Sequence, residues 1–153
     1  MKFLELKVPP VVVGGICFAL MWALAISIPG YPLPQSVALL GLILCVMSGS
    51  ALGIAGLLEF RRAQTTFHPH HPEDARQLVT SGVYQYTRNP MYMGLLLMLL
   101  GWAIFLSSMA SFTGLIVFVA YMNQFQITPE ERALKAKFGS DYDDYARRVR
   151  RWV

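Results

Sequence analysis

The chain has 153 residues, of which 55% are hydrophobic and 14% charged, and its formal net charge is +4. Soluble domains are less apolar and about 25% charged, so this composition excludes an ordinary soluble domain and indicates an integral membrane protein. The basic balance suits a protein held against anionic lipid, and it gives no reason to expect a nucleic-acid partner. A chain of this length is expected to form one domain, residues 1–153.

Charged residues are absent from two long stretches. No Asp, Glu, Lys or Arg lies between Lys7 and Glu59 or between Arg88 and Glu130. Because about 20 apolar residues cross the hydrocarbon core, each stretch is long enough for two crossings. Prolines within 28–34 interrupt the first stretch, and small polar residues at 107–111 interrupt the second. The sequence therefore predicts an all-α fold with four transmembrane helices at about 8–28, 35–58, 90–107 and 110–127, a loop at about 59–89, and cytoplasmic C-terminal helices at about 129–151.

Basic residues lie on one side of this predicted bundle. Both hairpin tips lack charge, whereas Lys2, Arg61 and the C-terminal arginines fall on the opposite side. Basic residues near helix ends stay in the cytoplasm, so we expect a multi-pass protein of the cell (inner) membrane with both termini cytoplasmic. The alternative is a cleaved secretory signal ending near Ala23-Leu-Ala25. A further membrane segment follows instead of a polar domain, which favours the transmembrane interpretation.

Small residues recur along the second predicted helix. Gly49, Gly53 and Gly56 allow another helix backbone to approach closely, either within the monomer or in a partner, so the oligomeric state stays open.

Cys17 and Cys45 fall within predicted helices and are interpreted as packing residues, because no disulfide framework or metal motif surrounds them. The chain has no G-x-G-x-x-G sequence and no strand–helix alternation, which excludes a Rossmann cofactor domain.

The segment before the third helix is rich in residues that bind ligands. Tyr84 and Tyr92 offer aromatic faces with hydroxyl tips, and Arg88 supplies a fixed cation at the membrane boundary. Gly82 marks a turn. Pro90 suits the first position of a helix, whose open amide groups can hold an anion. The alternative is that the tyrosines are interfacial anchors and that Arg88 meets lipid phosphate.

The C-terminal tail predicts two short helices. Thr128, a proline and Glu131 form the pattern of a capping box, so we expect a new helix to begin at Thr128 and to end at Gly139. Glu130 is not explained by capping; it can meet a cationic ligand or favour the helix dipole. A second helix over 140–151 would lie on the membrane surface or across the loop. One face of that helix carries Tyr142, Tyr145, Val149 and Trp152.

Three histidines, His68, His70 and His71, lie close together in the predicted loop. A metal site would need further ligands, and the sequence offers neither cysteines nor suitably spaced carboxylates beside them. We therefore expect no metal and expect the histidines to hydrogen-bond a ligand or lipid headgroups.

Taken in chain order, these motifs resemble the isoprenylcysteine carboxyl methyltransferase family with its bacterial and archaeal relatives and, more distantly, the phospholipid N-methyltransferases. The resemblance covers roughly residues 65–150. Its motifs are Leu78-Val-Thr-Ser-Gly-Val-Tyr84, Arg88-Asn-Pro-Met-Tyr92-Met-Gly94, Glu130-Glu-x-x-Leu134 and Phe138-Gly-x-x-Tyr142-x-x-Tyr145.

The resemblance implies a methyltransferase embedded in the membrane that uses S-adenosyl-L-methionine and releases S-adenosyl-L-homocysteine. It implies catalytic roles for Arg88 and Glu130, with Glu130 where cofactor and acceptor meet. The cofactor contacts that it implies are His70, Gln77, Leu78, Val79, Tyr84, Asn89, Pro90, Met91, Tyr92 and Glu131.

One departure from the family concerns the acceptor. The helix before the acidic pair carries arginines in the prenylcysteine enzymes, whereas residues 121–127 hold no cation here. Losing a charge-assisted contact to a carboxylate weakens its binding. We therefore expect a lipophilic acceptor other than prenylcysteine, held by Glu130 with Asn123, Gln124 or Gln126. A second departure is Asn89, where the carboxyl methyltransferases usually have histidine.

Three other functional classes are alternatives to a methyltransferase. A small multidrug-type transporter needs a carboxylate within the membrane, and the predicted spans contain none. A membrane reductase of related fold that uses NADPH, and a non-catalytic membrane scaffold, both stay open on the sequence alone. Binding of S-adenosylhomocysteine would separate the methyltransferase from both.

Overall fold

The computed structural model describes residues 5–28, 30, 33–63 and 77–153. These residues form helices and turns without any strand, which confirms the all-α prediction. The helices are α1 (Pro10–Ser27), α2 (Gln35–Arg62), α3 (Pro90–Leu106), α4 (Thr113–Tyr121), α5 (Thr128–Phe138) and α6 (Ser140–Arg148). Short 3-10 helices, Gly82–Gln85 and Met109–Phe112, precede α3 and α4, and a π-helical segment, Met122–Ile127, joins α4 to α5.

Two of these helices are long and apolar enough to cross a membrane. They are α1, with 18 residues and a mean hydropathy of 2.1, and α2, with 28 residues and a mean hydropathy of 2.3. Only 28% of the apolar window of α1 and 11% of that of α2 is buried inside the protein. The core helix of a soluble protein would be mostly buried, so this exposed apolar surface indicates a membrane protein. The apolar helix α3 has 17 residues, and α4 has nine before the π-helical segment, so length and composition qualify two helices and not all four.

Some helices begin or end at residues other than the predicted ones, where tertiary contacts extend a helix or make it begin later in the sequence. The second helix continues past the predicted end at 58 as far as Arg62, because Glu59 is buried against the loop instead of marking the water boundary. Helix α3 ends at Leu106, where Ser107 takes a left-handed φ of 50°. Helix α4 begins at Thr113, after a 3-10 helix that occupies the predicted start at 110.

Glycines allow the backbones of α2 and α3 to touch. A Cβ atom on Gly49 would lie 2.5 Å from the carbonyl oxygen of Gly94, and one on Gly94 would lie 2.6 Å from that of Gly49. A Cβ on Gly56 would lie 3.1 Å from Cγ of Pro90, so this glycine makes room for a side chain of α3. A Cβ on Gly53, in contrast, would meet nothing within 4 Å. Two of the three glycines singled out in the sequence therefore serve contact between helices of the same chain.

The side chains of the described residues form two hydrophobic cores. The first lies among α1, α3 and α4, and the second lies among the loop, α5 and α6. The buried members of the first are Val13, Cys17, Met21, Tyr92, Leu99, Ala103, Phe118, Met122 and Ile127. Those of the second are Val79, Tyr84, Tyr142, Tyr145 and Val149. Cys17 is 1% exposed, in agreement with the packing role expected for it.

Candidate active site

A cavity lies where the two cores meet, between the end of α2 and the starts of α3 and α5. Its empty volume is about 670 Å³, including its open mouth. The lining residues are Phe60, Gln77, Leu78, Val79, Tyr84, Arg88, Asn89, Pro90, Met91, Tyr92, Glu130, Glu131, Leu134, Tyr142 and Tyr145.

The cavity brings together most of the residues singled out in the sequence. Every predicted cofactor contact that the structure describes lines it, and so do Arg88 and Glu130. His70, together with His68 and His71, lies outside the described residues. Gln126 lies directly behind the wall, whereas Asn123 is engaged elsewhere and Gln124 is exposed. The binding roles of these residues stay predictions.

Glu130 holds the centre of a hydrogen-bond cluster at the cavity wall. The Tyr92 hydroxyl donates to Glu130 Oε1 at 2.5 Å, and Gln126 Nε2 donates to the same oxygen at 2.7 Å. Gln126 Nε2 also lies 3.4 Å from the Tyr92 hydroxyl. The cluster joins the first turns of α3 and α5 and fixes the orientation of the carboxylate.

The charge of Glu130 is set by its surroundings. Burial raises the pKa of its carboxyl from 4.5 to about 7, against the hydrogen bonds from Tyr92 and Gln126, which lower the pKa. Both donors are neutral, and within the described part of the chain no Lys or Arg forms an ion pair with Glu130. The cavity wall therefore contains a carboxyl group that can gain or lose a proton near neutral pH.

Glu131 has a different environment from its neighbour. Its Oε1 accepts hydrogen bonds from Arg88 Nη2 at 2.8 Å and from Arg151 Nε at 3.1 Å, and its Oε2 accepts from Arg151 Nη2 at 2.5 Å. The prediction that Glu131 forms a capping box is wrong, since α5 has no side-chain cap. Glu131 instead neutralises two arginines and ties α5 to the loop and to the C-terminus.

Helix α5 begins at the predicted Thr128, but it continues directly from the π-helical segment before it instead of following a turn. Residues Met122–Ile127 form a π-helical segment in which the Thr128 amide donates to the Asn123 carbonyl, and the Thr128 hydroxyl bonds the same oxygen at 2.7 Å. Pro129 has no N–H, so the Phe125 carbonyl loses its α-helical donor. The Leu6 amide bonds that carbonyl at 3.0 Å instead. The proline that resembles a helix start therefore accompanies a π bulge, a feature often found at functional sites.

The C-terminal residues are tied to the loop and to the π-helical segment. The Arg151 carbonyl accepts hydrogen bonds from Asn89 Nδ2 at 2.8 Å and from the Thr87 hydroxyl at 3.3 Å. Trp152 Nε1 donates to Asn123 Oδ1 at 3.0 Å. Asn123 therefore holds the C-terminus in this structure, and it is not among the cavity-lining residues.

Aromatic residues also line the cavity. The Tyr145 hydroxyl donates to the Tyr84 carbonyl at 2.8 Å, which joins α6 to the loop, and Phe60 meets the Tyr84 ring edge-on at 5.4 Å. Burial raises the pKa of Tyr142 to about 12, so its hydroxyl stays neutral at ordinary pH. Helix α6 lies across the loop, which is one of its two predicted positions. This helix ends at Arg148, three residues before the predicted end.

Four lining residues were absent from the predicted site. Tyr142 and Tyr145 were recognised as one face of a helix, and their spacing of three residues could have indicated a buried face rather than a surface one. Leu134 belongs to the quoted motif Glu130-Glu-x-x-Leu134 but was assigned no contact. Phe60 carries no comparable signal, because an isolated apolar residue near the end of a helix is common.

Known methyltransferases are similar to this chain over most of its length. The phospholipid methyltransferase family model matches residues 36–141. Protein-S-isoprenylcysteine O-methyltransferase B of Arabidopsis thaliana is 33% identical over 104 residues, which cover 68% of this chain and 53% of the plant protein. A probable protein-S-isoprenylcysteine O-methyltransferase of Oryza sativa subsp. indica is 28% identical over 113 residues, which cover 74% of this chain and 59% of that protein.

A bacterial relative matches a shorter part of the chain. It is an uncharacterized protein of Haemophilus influenzae, 46% identical over 63 residues, which cover 41% of this chain and the whole of that protein. The chain thus spans little more than half the length of the plant relatives. No solved structure matches it. The resemblance found in the sequence is confirmed, and the chain belongs to the phospholipid methyltransferase family.

Proposed function

We propose that this protein is a membrane-embedded methyltransferase that uses S-adenosylmethionine as the methyl donor and a lipophilic molecule as the acceptor. The observation that carries the proposal is Glu130, a carboxyl group in the cavity wall whose described hydrogen-bond donors, Tyr92 and Gln126, are both neutral. An unpaired carboxylate in a desolvated site attracts a cation strongly. S-adenosylmethionine carries two cationic groups, an ammonium and a sulfonium.

The other walls of the cavity fit the remaining parts of this cofactor. Phe60, Tyr84 and Tyr142 supply aromatic surface for a flat base or for a sulfonium. Pro90 begins α3, so the first turn of that helix offers open amide groups toward an anionic group. The lining thus combines apolar faces with a few fixed polar groups, as small-molecule sites usually do.

The residues around Glu130 have a definable part in the reaction. When bound, S-adenosylmethionine supplies an electrophilic methyl group on sulfur, which an acceptor atom takes by in-line displacement. The protein must hold that atom in line and keep water out. Tyr92 and Gln126 hold the Glu130 carboxylate in one orientation, and its pKa of about 7 lets it accept a proton from the acceptor at neutral pH.

The charges of the wall favour an acceptor without a carboxylate. Arg88 is the cation that could receive one, and its guanidinium already pairs with Glu131 at 2.8 Å. Glu130 would repel a second anion, and Gln126 beside it offers a neutral amide. The acceptor is therefore a neutral or cationic lipophilic molecule rather than prenylcysteine, although two of the relatives are named for the latter.

The proposed setting is the inner membrane, with both termini in the cytoplasm. The apolar faces of α1 and α2 support two crossings. For the further two crossings, support comes from the apolar helix α3, which packs along α2, and from the continuous helical path through α4. In this arrangement the cavity faces the cytoplasm, the source of the cofactor, while a lipophilic acceptor enters from the bilayer.

The proposal is tested by methyl transfer to extracted lipids. Membranes containing the overproduced protein, incubated with methyl-labelled S-adenosylmethionine and a lipid extract, should yield a labelled lipophilic product. Glu130→Ala should abolish the label, whereas Thr113→Ser, at the far end of the bundle, should retain it. The proposal fails if labelling with the wild-type protein never exceeds that with Glu130→Ala.

A further inference from the structure

Glu59 is a buried acid outside the cavity lining. It lies in the last turn of α2 and is 7% exposed. Its Oε1 accepts a hydrogen bond from Arg62 Nη1 at 2.6 Å, and its Oε2 accepts one from the Ser81 hydroxyl at 2.5 Å. Arg62 is a neighbour on the same helix, and its side chain is 74% exposed. The Ser81 bond, in contrast, reaches from α2 to the loop that walls the cavity.

The backbone next to Ser81 is also fitted to Glu59. Gly82 has a φ of +56°, a left-handed value that favours glycine. A Cβ atom there would lie 2.6 Å from Glu59 Cδ and 2.7 Å from its Oε1. A side chain at this position would therefore meet both backbone strain and the carboxyl group. The turn is shaped to lie directly against Glu59.

This turn carries three residues of the cavity wall. Leu78 and Val79 lie just before Ser81, and Tyr84 lies just after Gly82. The Tyr84 amide donates to the Ser81 carbonyl at 3.1 Å, so the position of Ser81 also sets that of Tyr84. A displacement of the turn from α2 would move all three wall residues together.

The hydrogen-bonded contact between Glu59 and Ser81 favours a role in positioning the loop over a role in stability alone. Burying a carboxylate costs free energy that hydrogen bonds only partly recover, and well-packed apolar residues often replace such contacts without loss of stability. Apolar packing lacks direction, whereas a hydrogen bond between a carboxylate and a hydroxyl constrains both distance and angle. The hydrogen bond between Glu59 and Ser81 thus restricts the position of the loop more tightly than hydrophobic contact would.

We propose that Glu59 is a positioning residue for the cofactor cavity, which acts through Ser81 and Gly82 to hold the wall of Leu78, Val79 and Tyr84 against the ligand. The inference rests on the proposed function, since the ligand in question is S-adenosylmethionine or its product. Glu59 itself touches neither the ligand nor the reacting atoms, because it lies outside the cavity lining.

The test is calorimetric binding of S-adenosylhomocysteine to the purified full chain and its variants. Ser81→Ala and Glu59→Gln should each weaken binding by about tenfold, in line with the loss of a hydrogen bond to a charged group. Ser81→Thr, which keeps the hydroxyl, should restore most of the affinity. Gln85→Ala, an exposed side chain in the same turn, is the matched control and should bind like the wild type.

The double variant Glu59→Gln/Ser81→Ala shows whether the two residues affect binding of S-adenosylhomocysteine through their shared contact or independently of each other. Because both residues act through one contact, it should bind about as weakly as either single variant. Unchanged affinity in Ser81→Ala, with or without a lower melting temperature, would overturn the inference, and Ser81→Ala is mild enough to fold even where Glu59→Gln does not. If the wild-type protein fails to bind S-adenosylhomocysteine, the proposed function itself is wrong; if it binds and Ser81→Ala binds equally well, only the role of Glu59 is wrong.

Discussion

The Tyr92 hydroxyl donates a hydrogen bond of 2.5 Å to Glu130, and this contact joins α3 to α5 across 38 residues of sequence. Tyr92 is 5% exposed and belongs to the core shared by α1, α3 and α4. The carboxyl group proposed to meet the ligand is therefore fixed by a side chain that is itself held in a packed core. Such a rigid setting suits a reaction that depends on alignment.

Removing this hydroxyl should change the pH dependence of methyl transfer. The Tyr92 bond lowers the pKa of Glu130 from the higher value that burial alone would produce. In Tyr92→Phe the pKa of Glu130 should therefore rise, by about one unit for a bond worth 1.4 kcal/mol. If the carboxylate is the active form, activity rises with pH through about 7 in the wild type. In Tyr92→Phe the same rise in activity should occur at higher pH. A pH profile of activity identical to that of the wild type would exclude coupling between the Tyr92 hydroxyl and the pKa of Glu130.

Glu130 should also make the stability of the protein depend on pH. Its pKa is about 7 in the folded state and 4.5 as the reference for the unfolded chain, so the folded state binds the proton more tightly. The stabilisation is complete below the lower value and is lost as pH rises through the higher one. It amounts to roughly 3 kcal/mol at most.

The melting temperature in detergent, measured at acidic and alkaline pH, checks this dependence. The difference between the two should shrink in Glu130→Gln, which cannot ionise. It should persist in Asp141→Asn, which removes an exposed acid. An equal dependence in Glu130→Gln and the wild type would mean that other groups are responsible.

Glu131 should matter more for stability than the surface ion pairs do. In Glu131→Gln the guanidinium of Arg88, with 14% of its side chain exposed, loses its carboxylate partner. Leaving a mostly buried charge unpaired costs about 2 kcal/mol or more. Arg147→Gln breaks the exposed pair with Asp144 and should cost about 0.5 kcal/mol or less. The free energy of unfolding, measured with denaturant, compares the two variants. Equal losses would contradict the claim that the buried ion pairs of Glu131 contribute more to stability than a surface ion pair.

The contact between α2 and α3 is tested by adding single methyl groups. Gly94→Ala would bring a Cβ to 2.6 Å from the Gly49 carbonyl oxygen, which forces the two backbones apart. Overpacking of this kind costs about 1–3 kcal/mol. Gly53→Ala places its methyl group in open space on α2, the helix of Gly49, and should leave the melting temperature close to that of the wild type. A similar loss in both variants would show that helix propensity or lipid contact, and not backbone approach, is decisive.

Some features of the fold could be predicted because they follow from local chemistry. The break at 107–111 was visible as a cluster of small polar residues, and Ser107 there takes the left-handed conformation that ends α3. Gly139 ends α5 with a φ of 54°, as its position after a polar helix indicated. Most of the cavity wall was identified through the motifs that, taken in chain order, resemble the family.

Other features depend on contacts between distant residues and left no local signal. The π-helical segment requires the Leu6 amide, far away in sequence, to bond the Phe125 carbonyl that Pro129 cannot serve. Without that contact, Thr128 and Pro129 have the pattern of an ordinary helix start. The bond between Glu59 and Ser81 likewise joins residues 22 positions apart, and no periodicity connects them.

Binding of S-adenosylhomocysteine is the most direct test of the central claim, that the cavity around Glu130 is the cofactor site of a methyltransferase. The purified protein should gain melting temperature with S-adenosylhomocysteine and not with NADPH, and Tyr92→Ala or Glu130→Ala should weaken binding by about tenfold or more. No shift with S-adenosylhomocysteine, together with a shift from NADPH, would contradict the claim and favour a reductase.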